Sequence, residues 1–138
     1  MGMDFKQCSL LALNEMEKSV KKYGRAGVGA ILYAEKENDM EWLSAFRIIG
    51  DSKVILEDGT GYNFISLAYS KASESIETGK NSGALERPLI EGEFGYEGSA
   101  IAEYQGNVII TSFSGITGDV DYKIAKAALD LLMSSLQD

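Results

Sequence analysis

Apolar residues recur at helical spacing in three stretches of the chain and alternate with polar ones between them. In "DFKQCSLLALNEMEKSVKKY" (4–23), Phe5, Cys8, Ala12, Met16 and Val20 fall on one side of a helix, and Leu11 and Leu13 widen the stripe. Asp4 stands in the N-cap position. Lys18, Lys21 and Lys22 lie where the C-terminal end of the helix dipole favours cations, and Gly24 ends the pattern. The period returns in 62–78, with Ile65, Ala68, Tyr69, Ala72 and Ile76 as the stripe and Gly79 as the stop. It returns again in 119–136, carried by Val120, Ile124, Ala127, Ala128, Leu131 and Leu132.

Between the helices the period shortens to two. "VGAILYA" (28–34) has a strand's length. The loop "EKEND" follows, and "MEWLSAFRII" (40–49) then places Trp42, Ser44, Phe46 and Ile48 on one face. "KVILE" (53–57) reads as a further short strand. "SAIAEY" and "NVIITSFS", either side of "QG", form a second hairpin. Residues 80–98 fit neither period and hold the only proline, Pro88; a loop of that length in a compact domain is often functional. The order predicts an α+β fold: a mainly antiparallel sheet of about five strands, with helices covering both faces, in a single domain spanning 1–138.

Charge and composition narrow the function classes. The net charge of −8 repels phosphate backbones and anionic lipid, so neither nucleic acid nor membrane is an expected partner. No apolar run approaches the length of a membrane span, and "MGMDFKQCSL" lacks the basic start and long apolar core of a secretory leader. With one cysteine, Cys8, no intrachain disulfide forms, which fits a reducing compartment; a cytoplasmic protein is expected. Histidine is absent. That removes imidazole zinc sites, Ser-His-Asp and Cys-His catalytic units, and histidine ligation of haem iron from this chain. No metal site and no catalytic constellation is expected.

"FSGITGDVD" (113–121) sets two glycines and several capping residues at a strand-to-helix turn. Such a turn resembles a phosphate cradle, but it lacks the Gly-Lys-Ser/Thr end of a P-loop, and Asp119 and Asp121 bring their own negative charge. Thr117 or Asp119 is expected to cap the helix instead. The longer run "SFSGITGDVDYKIAKAAL" resembles the C-terminal signature of the GlcG/HbpS-like family at Ser114, Gly115, Thr117, Asp121, Ile124, Ala125, Ala127, Ala128 and Leu129. "ISLAYSKASES" looks like the central helix of that family, with Ile65, Ala68, Lys71 and Ala72 on its Ile-x-x-Ala-x-x-Lys-Ala core. The motifs cover about a third of the chain, and the order of elements matches over most of it. The chain departs from the family in "RPLIEGEFGYEG", which is poorer in proline, and in "VIITSF", which replaces a Gly-rich final strand. The resemblance implies a profilin-like or PAS-like domain, a haem- or corrinoid-related ligand, and a homo-oligomer.

Candidate site residues follow from both readings. Phe94 and Tyr96 lie in the Gly-rich loop and can wall a pocket; Gly115 and Thr117 lie in the turn. These four are the expected ligand-binding residues. Trp42 and Tyr104 are further candidates for an aromatic wall, with core packing as the plainer role of Trp42. Glu91, Glu93 and Glu97 are candidates for acid–base work or a hard cation, against ordinary solvated loop carboxylates. Tyr33, Tyr69, Met40 and Cys8 are candidate iron ligands by residue type, with core packing as the plainer role. Arg47 and Lys71 are candidates to pair with an acidic ligand, with surface ion pairs as the plainer role. The sequence thus points to a non-catalytic module that binds a small ligand, tetrapyrroles being the class the resemblance implies. The alternatives are an enzyme or enzyme accessory using Glu91 and Glu93, and an interaction protein. Leu10 to Leu13, and Leu129 with Leu131 to Met133, exceed what one stripe per helix needs, which predicts a helix-mediated contact between copies. "NVIITSFS" carries no charge over its eight residues and is expected inside the sheet or under a partner.

Overall fold

The computed structural model describes residues 3–137. Helix α1 (Phe5–Tyr23) begins on a capping box: the Asp4 carboxylate accepts from the Gln7 amide at 2.8 Å, and the Gln7 side chain accepts from the Asp4 amide at 2.9 Å. It ends at Gly24, which takes the left-handed conformation. Strands β1 (Gly27–Glu35) and β2 (Asn38–Ile49) form the first hairpin; pairing reaches Glu35 and Asn38, so the expected five-residue loop shrinks to a tight turn. Strands β3 (Lys53–Ile55) and β4 (Gly61–Asn63) make a separate two-stranded arm. Helix α2 (Phe64–Thr78) starts on Asn63, whose side chain accepts from the Ser66 amide at 3.1 Å. Strands β5 (Ser99–Tyr104) and β6 (Asn107–Ser114) form the second hairpin, and α3 (Gly118–Leu136) follows.

The main sheet is antiparallel throughout, in the order β2-β1-β6-β5. It has four strands rather than about five, because "KVILE" pairs with Tyr62 and its neighbours in the arm. Uncharged β6 lies inside the sheet, as its composition requires.

Alternation along the strands builds a three-layer molecule. Ile31 and Phe113 face α1 and α3, where they meet Leu13, Met16, Val20, Ile124 and Leu132. Ala30, Leu32 and Ile110 face α2 and Ala72. Each fully buried Leu, Ile or Phe contributes about 1.5–3 kcal/mol. Consecutive hydroxyls of β6 tie one helix to each face: Thr111 donates to the Ala125 carbonyl of α3 at 2.7 Å, and Ser112 to the Ala68 carbonyl of α2 at 2.8 Å. The surplus of the outer helices goes largely to this core. Leu11, Leu13, Leu129, Leu132 and Met133 all pack there, and only Leu10 and Leu131 stay exposed. No described helix is long and apolar enough to cross a membrane.

Candidate functional site

A cleft of about 610 Å³ opens at the end of β6, on the α2 side of the sheet. Phe64, Leu67 and Lys71 of α2 form one wall, Val54 and Tyr62 of the β3–β4 arm another, and Gly95, Tyr96 and Glu97 of the long loop a third. Arg25 reaches it from the α1–β1 connection, and Ser114 to Ile116, with Asp121, close the base.

Close approaches of backbone shape the base. A Cβ at Gly98 would lie 2.6 Å from the Phe113 carbonyl oxygen and 2.7 Å from Lys71 Nζ. One at Gly115 would lie 2.3 Å from the Ala26 carbonyl oxygen. Both glycines have φ values that other residues rarely adopt. They let the loop, β6 and the start of β1 converge on one point.

Lys71 and Asp121 occupy that point. Lys71 Nζ donates to Asp121 Oδ2 at 2.9 Å and to the Phe113 carbonyl at 3.0 Å, with both side chains about 5% exposed. The expected surface ion pair of Lys71 is thus a buried one. Burial pushes the Lys71 ammonium pKa down and the Asp121 carboxyl up; the attraction between them opposes both shifts without cancelling them. Asp121 Oδ1 also accepts from the Ile116 amide at 2.9 Å, and Oδ2 from the Gly115 amide at 3.4 Å. The turn "SGITGD" is therefore a cradle for an anion, but the anion is the chain's own carboxylate. Thr117 is the N-cap residue of α3, yet its hydroxyl donates to Asp119 at 2.7 Å instead of capping an amide. That bond holds the Asp119 carboxyl below its ordinary range.

Of the four expected ligand-binding residues, Tyr96 and Gly115 line the cleft. Phe94 stands behind Tyr96, its ring stacked on it at 5.5 Å between centroids. Thr117 is exposed outside the lining. The three loop glutamates diverge. Glu91 is exposed, and Glu97 edges the cleft. Glu93 is buried and accepts from both terminal nitrogens of Arg87 at 2.8 Å and from the Ile90 amide at 3.2 Å. Arg87 holds the Glu93 carboxyl below its ordinary pKa, so it stays ionised and tied rather than poised for proton transfer.

The other candidates lie elsewhere. Met40 is 89% exposed. Cys8 and Tyr33 line a separate cavity of about 110 Å³ together with Tyr104, and burial raises both the thiol and the Tyr33 phenol. The Tyr104 hydroxyl donates to the Leu136 carbonyl, and Trp42 Nε1 to the Asp39 carbonyl. Tyr69 donates to Ser44 at 3.2 Å. Arg47 bridges Asn14 and Glu17, the surface pairing expected of it. Among the described residues no three Cys, Asp or Glu side chains gather as a metal site.

Sequence reasoning passed over Phe64, Leu67, Tyr62 and Arg25 as site residues. It met Lys71 as a surface ion-pair residue and Asp121 as a charge at the helix start, and the signal that joins them is that both signature motifs send a residue to the same buried pair.

No protein-family model and no curated protein matches the chain. Solved structures do. The chain is similar to PduOC, solved as a haem complex, with 14% identity, 95% of each chain covered and a TM-score of 0.66. It is similar to the Klebsiella pneumoniae protein ORFY of family DUF336, with 11% identity over 97% of this chain and 93% of that one and a TM-score of 0.66. It is similar to HbpS, with 16% identity, coverage of 96% and 91%, and a TM-score of 0.55. The chain therefore has the α+β fold of PduOC, ORFY and HbpS, the fold expected from its resemblance to the GlcG/HbpS-like family.

Proposed function

We infer that the chain is a non-catalytic module that seats a small, flat, largely apolar ligand of the tetrapyrrole class in the cleft beside Lys71. One observation carries this reading. The cleft has the volume of a small-molecule site, with apolar and aromatic walls from Val54, Tyr62, Phe64, Leu67 and Tyr96. The charged groups at its base bond to one another and to backbone, which supports a binding role over acid–base work.

The residues fit a haem-type guest in a particular way. With no histidine in the chain, and with Met40, Cys8 and Tyr33 away from the cleft, the familiar haem-ligand type that the cleft offers is a phenol oxygen, from Tyr62 or Tyr96. Arg25, exposed and at the cleft, supplies the cation for a peripheral carboxylate. Bound haem would supply a redox-active iron. PduOC, which has this fold, was solved with haem, and that supports the class of guest.

Titration of the purified protein with haemin and with cobalamin, followed in the visible spectrum, tests the reading. A saturable change with one of them is expected, together with a rise in melting temperature. With haemin, Tyr62→Phe or Tyr96→Phe should then alter the spectrum of the complex. No saturable change with either compound removes tetrapyrroles as the guest.

A further inference from the structure

A second cavity lies at the opposite end of the main sheet from the cleft, and on its other face. The cleft opens where β6 ends, on the α2 side; this cavity of about 110 Å³ sits where β6 begins, between the sheet and helices α1 and α3. Phe5, Ile31, Ile109, Leu132 and Leu136 give it apolar walls, and all of these but Phe5 are buried. The rings of Phe5 and Tyr33 meet beside it at 6.1 Å between centroids, tilted by 43°. The Tyr104 hydroxyl donates to the Leu136 carbonyl at 2.7 Å and so ties the end of α3 to the second hairpin. Protein interiors are packed like organic crystals and hold few voids larger than a water molecule. A void of this size among apolar walls is also a poor place for water, which needs several polar partners.

The chain carries a net charge of −8, yet no charged side chain lines this cavity. Its polar groups are neutral and two of them are free. Among the described residues neither the Tyr33 hydroxyl nor the Asn107 side-chain amide has a hydrogen-bond partner, whereas the Tyr104 hydroxyl is taken by Leu136. Burial, and after it the charge of Glu35, raises the Tyr33 phenol, which keeps it a hydroxyl. We propose that this cavity is a second ligand site, and that it takes a neutral molecule made of one aromatic ring and a hydroxyl, a simple phenol. At the packing density of protein interiors the space holds about one six-membered ring. Tyr33 and Asn107 together supply a donor and an acceptor for the hydroxyl of the guest. A carboxylate in its place would meet no cation, and burying an unpaired charge is costly. The two sites therefore select differently, since the cleft has Arg25 for a carboxylate and this cavity has none. The proposal is independent of what the cleft holds.

Methyl NMR of the full chain, titrated in turn with phenol, benzene and benzoate, tests this. Phenol should shift the methyl signals of Ile31, Ile109 and Leu132 saturably and leave those of Val54 and Leu67, in the cleft, where they are. Benzoate, the same ring with a charge, should leave the cavity methyls unmoved over the same range. Tyr33→Phe combined with Asn107→Leu removes both free polar groups. That variant should bind phenol roughly three- to tenfold more weakly and benzene within about twofold of the unaltered protein. If the double variant does not fold, each single variant is read in the same way, with a smaller loss for phenol alone. The proposal is overturned if phenol gives no saturable shift at the cavity methyls, or shifts Val54 and Leu67 instead. It is overturned equally by benzoate that binds as phenol does, or by variants that weaken phenol and benzene alike.

Discussion

The Lys71–Asp121 pair joins α2 to α3 across 50 residues of chain with both side chains buried, whereas the Arg87–Glu93 pair spans six residues of one loop and leaves the Arg87 side chain 35% exposed. Both are ion pairs within 3 Å. In the first, burial dominates and pushes both groups toward their neutral forms. In the second, hydrogen bonding dominates and holds Glu93 ionised. The buried pair is costly to form but very costly to halve; the loop pair fixes a local shape. The comparison separates what holds the base of the cleft from what shapes the loop beside it.

The sharpest break is Lys71→Met, which leaves the Asp121 carboxylate buried and unpaired. A loss of about 3–5 kcal/mol is expected from urea unfolding. Adding Asp121→Asn, which keeps an oxygen for the Ile116 amide, should recover part of that loss. The cycle of the two single and one double variants should show a coupling above about 1 kcal/mol. Near-additive losses would mean that the pair is not coupled.

A smaller effect is expected in the loop. Arg87→Ala should move the urea midpoint far less than Lys71→Met does, while limited proteolysis within 80–98 speeds up. An equal shift in midpoint would erase the distinction between the pairs.

The smallest effect is the dependence on pH, and its sign differs between the pairs. Glu93 lies below its ordinary 4.5 in the folded chain, so its contribution is present above that value and is lost as the pH falls through the folded value. Asp121 is raised, so the folded chain takes up a proton there more readily than the unfolded one, and acidification through the carboxylate range costs no stability at that site. Amide exchange on acidification should therefore quicken in the 85–95 loop before it does around Ile116. Arg87→Ala should abolish the early step in the loop.

Local rules read the elements well because their causes are local. Asp4, Gln7 and Gly24 delimit α1 by bonds within one turn, and the alternation of Trp42, Ser44 and Phe46 shows through because β2 is half solvated. Strand β4 escaped because Tyr62 and Asn63 run on into the helical period of α2, while their strand character comes from pairing with Lys53 and Val54. Lys71 looked like a surface residue for the same reason. Nothing within a few residues of it says that a carboxylate 50 positions later will bury it. The loop 80–98 was legible as irregular, but not as the place where Asn81 and Ser82 seal an edge strand. The cleft was the least legible feature, since its walls come from five separate segments.

The central pairing of β1 with β6 has a consequence for the chain as it leaves the ribosome. Strand β1 is buried on both faces and carries almost only apolar side chains, yet its inner partner is synthesised roughly 80 residues later. At ordinary translation rates that gap lasts on the order of 4–16 s. Throughout it the β6 side of β1 has no partner strand. Between the appearance of Glu35 and that of Asn107 the apolar strand therefore lacks its inner partner, and the last third of the protein is what supplies it.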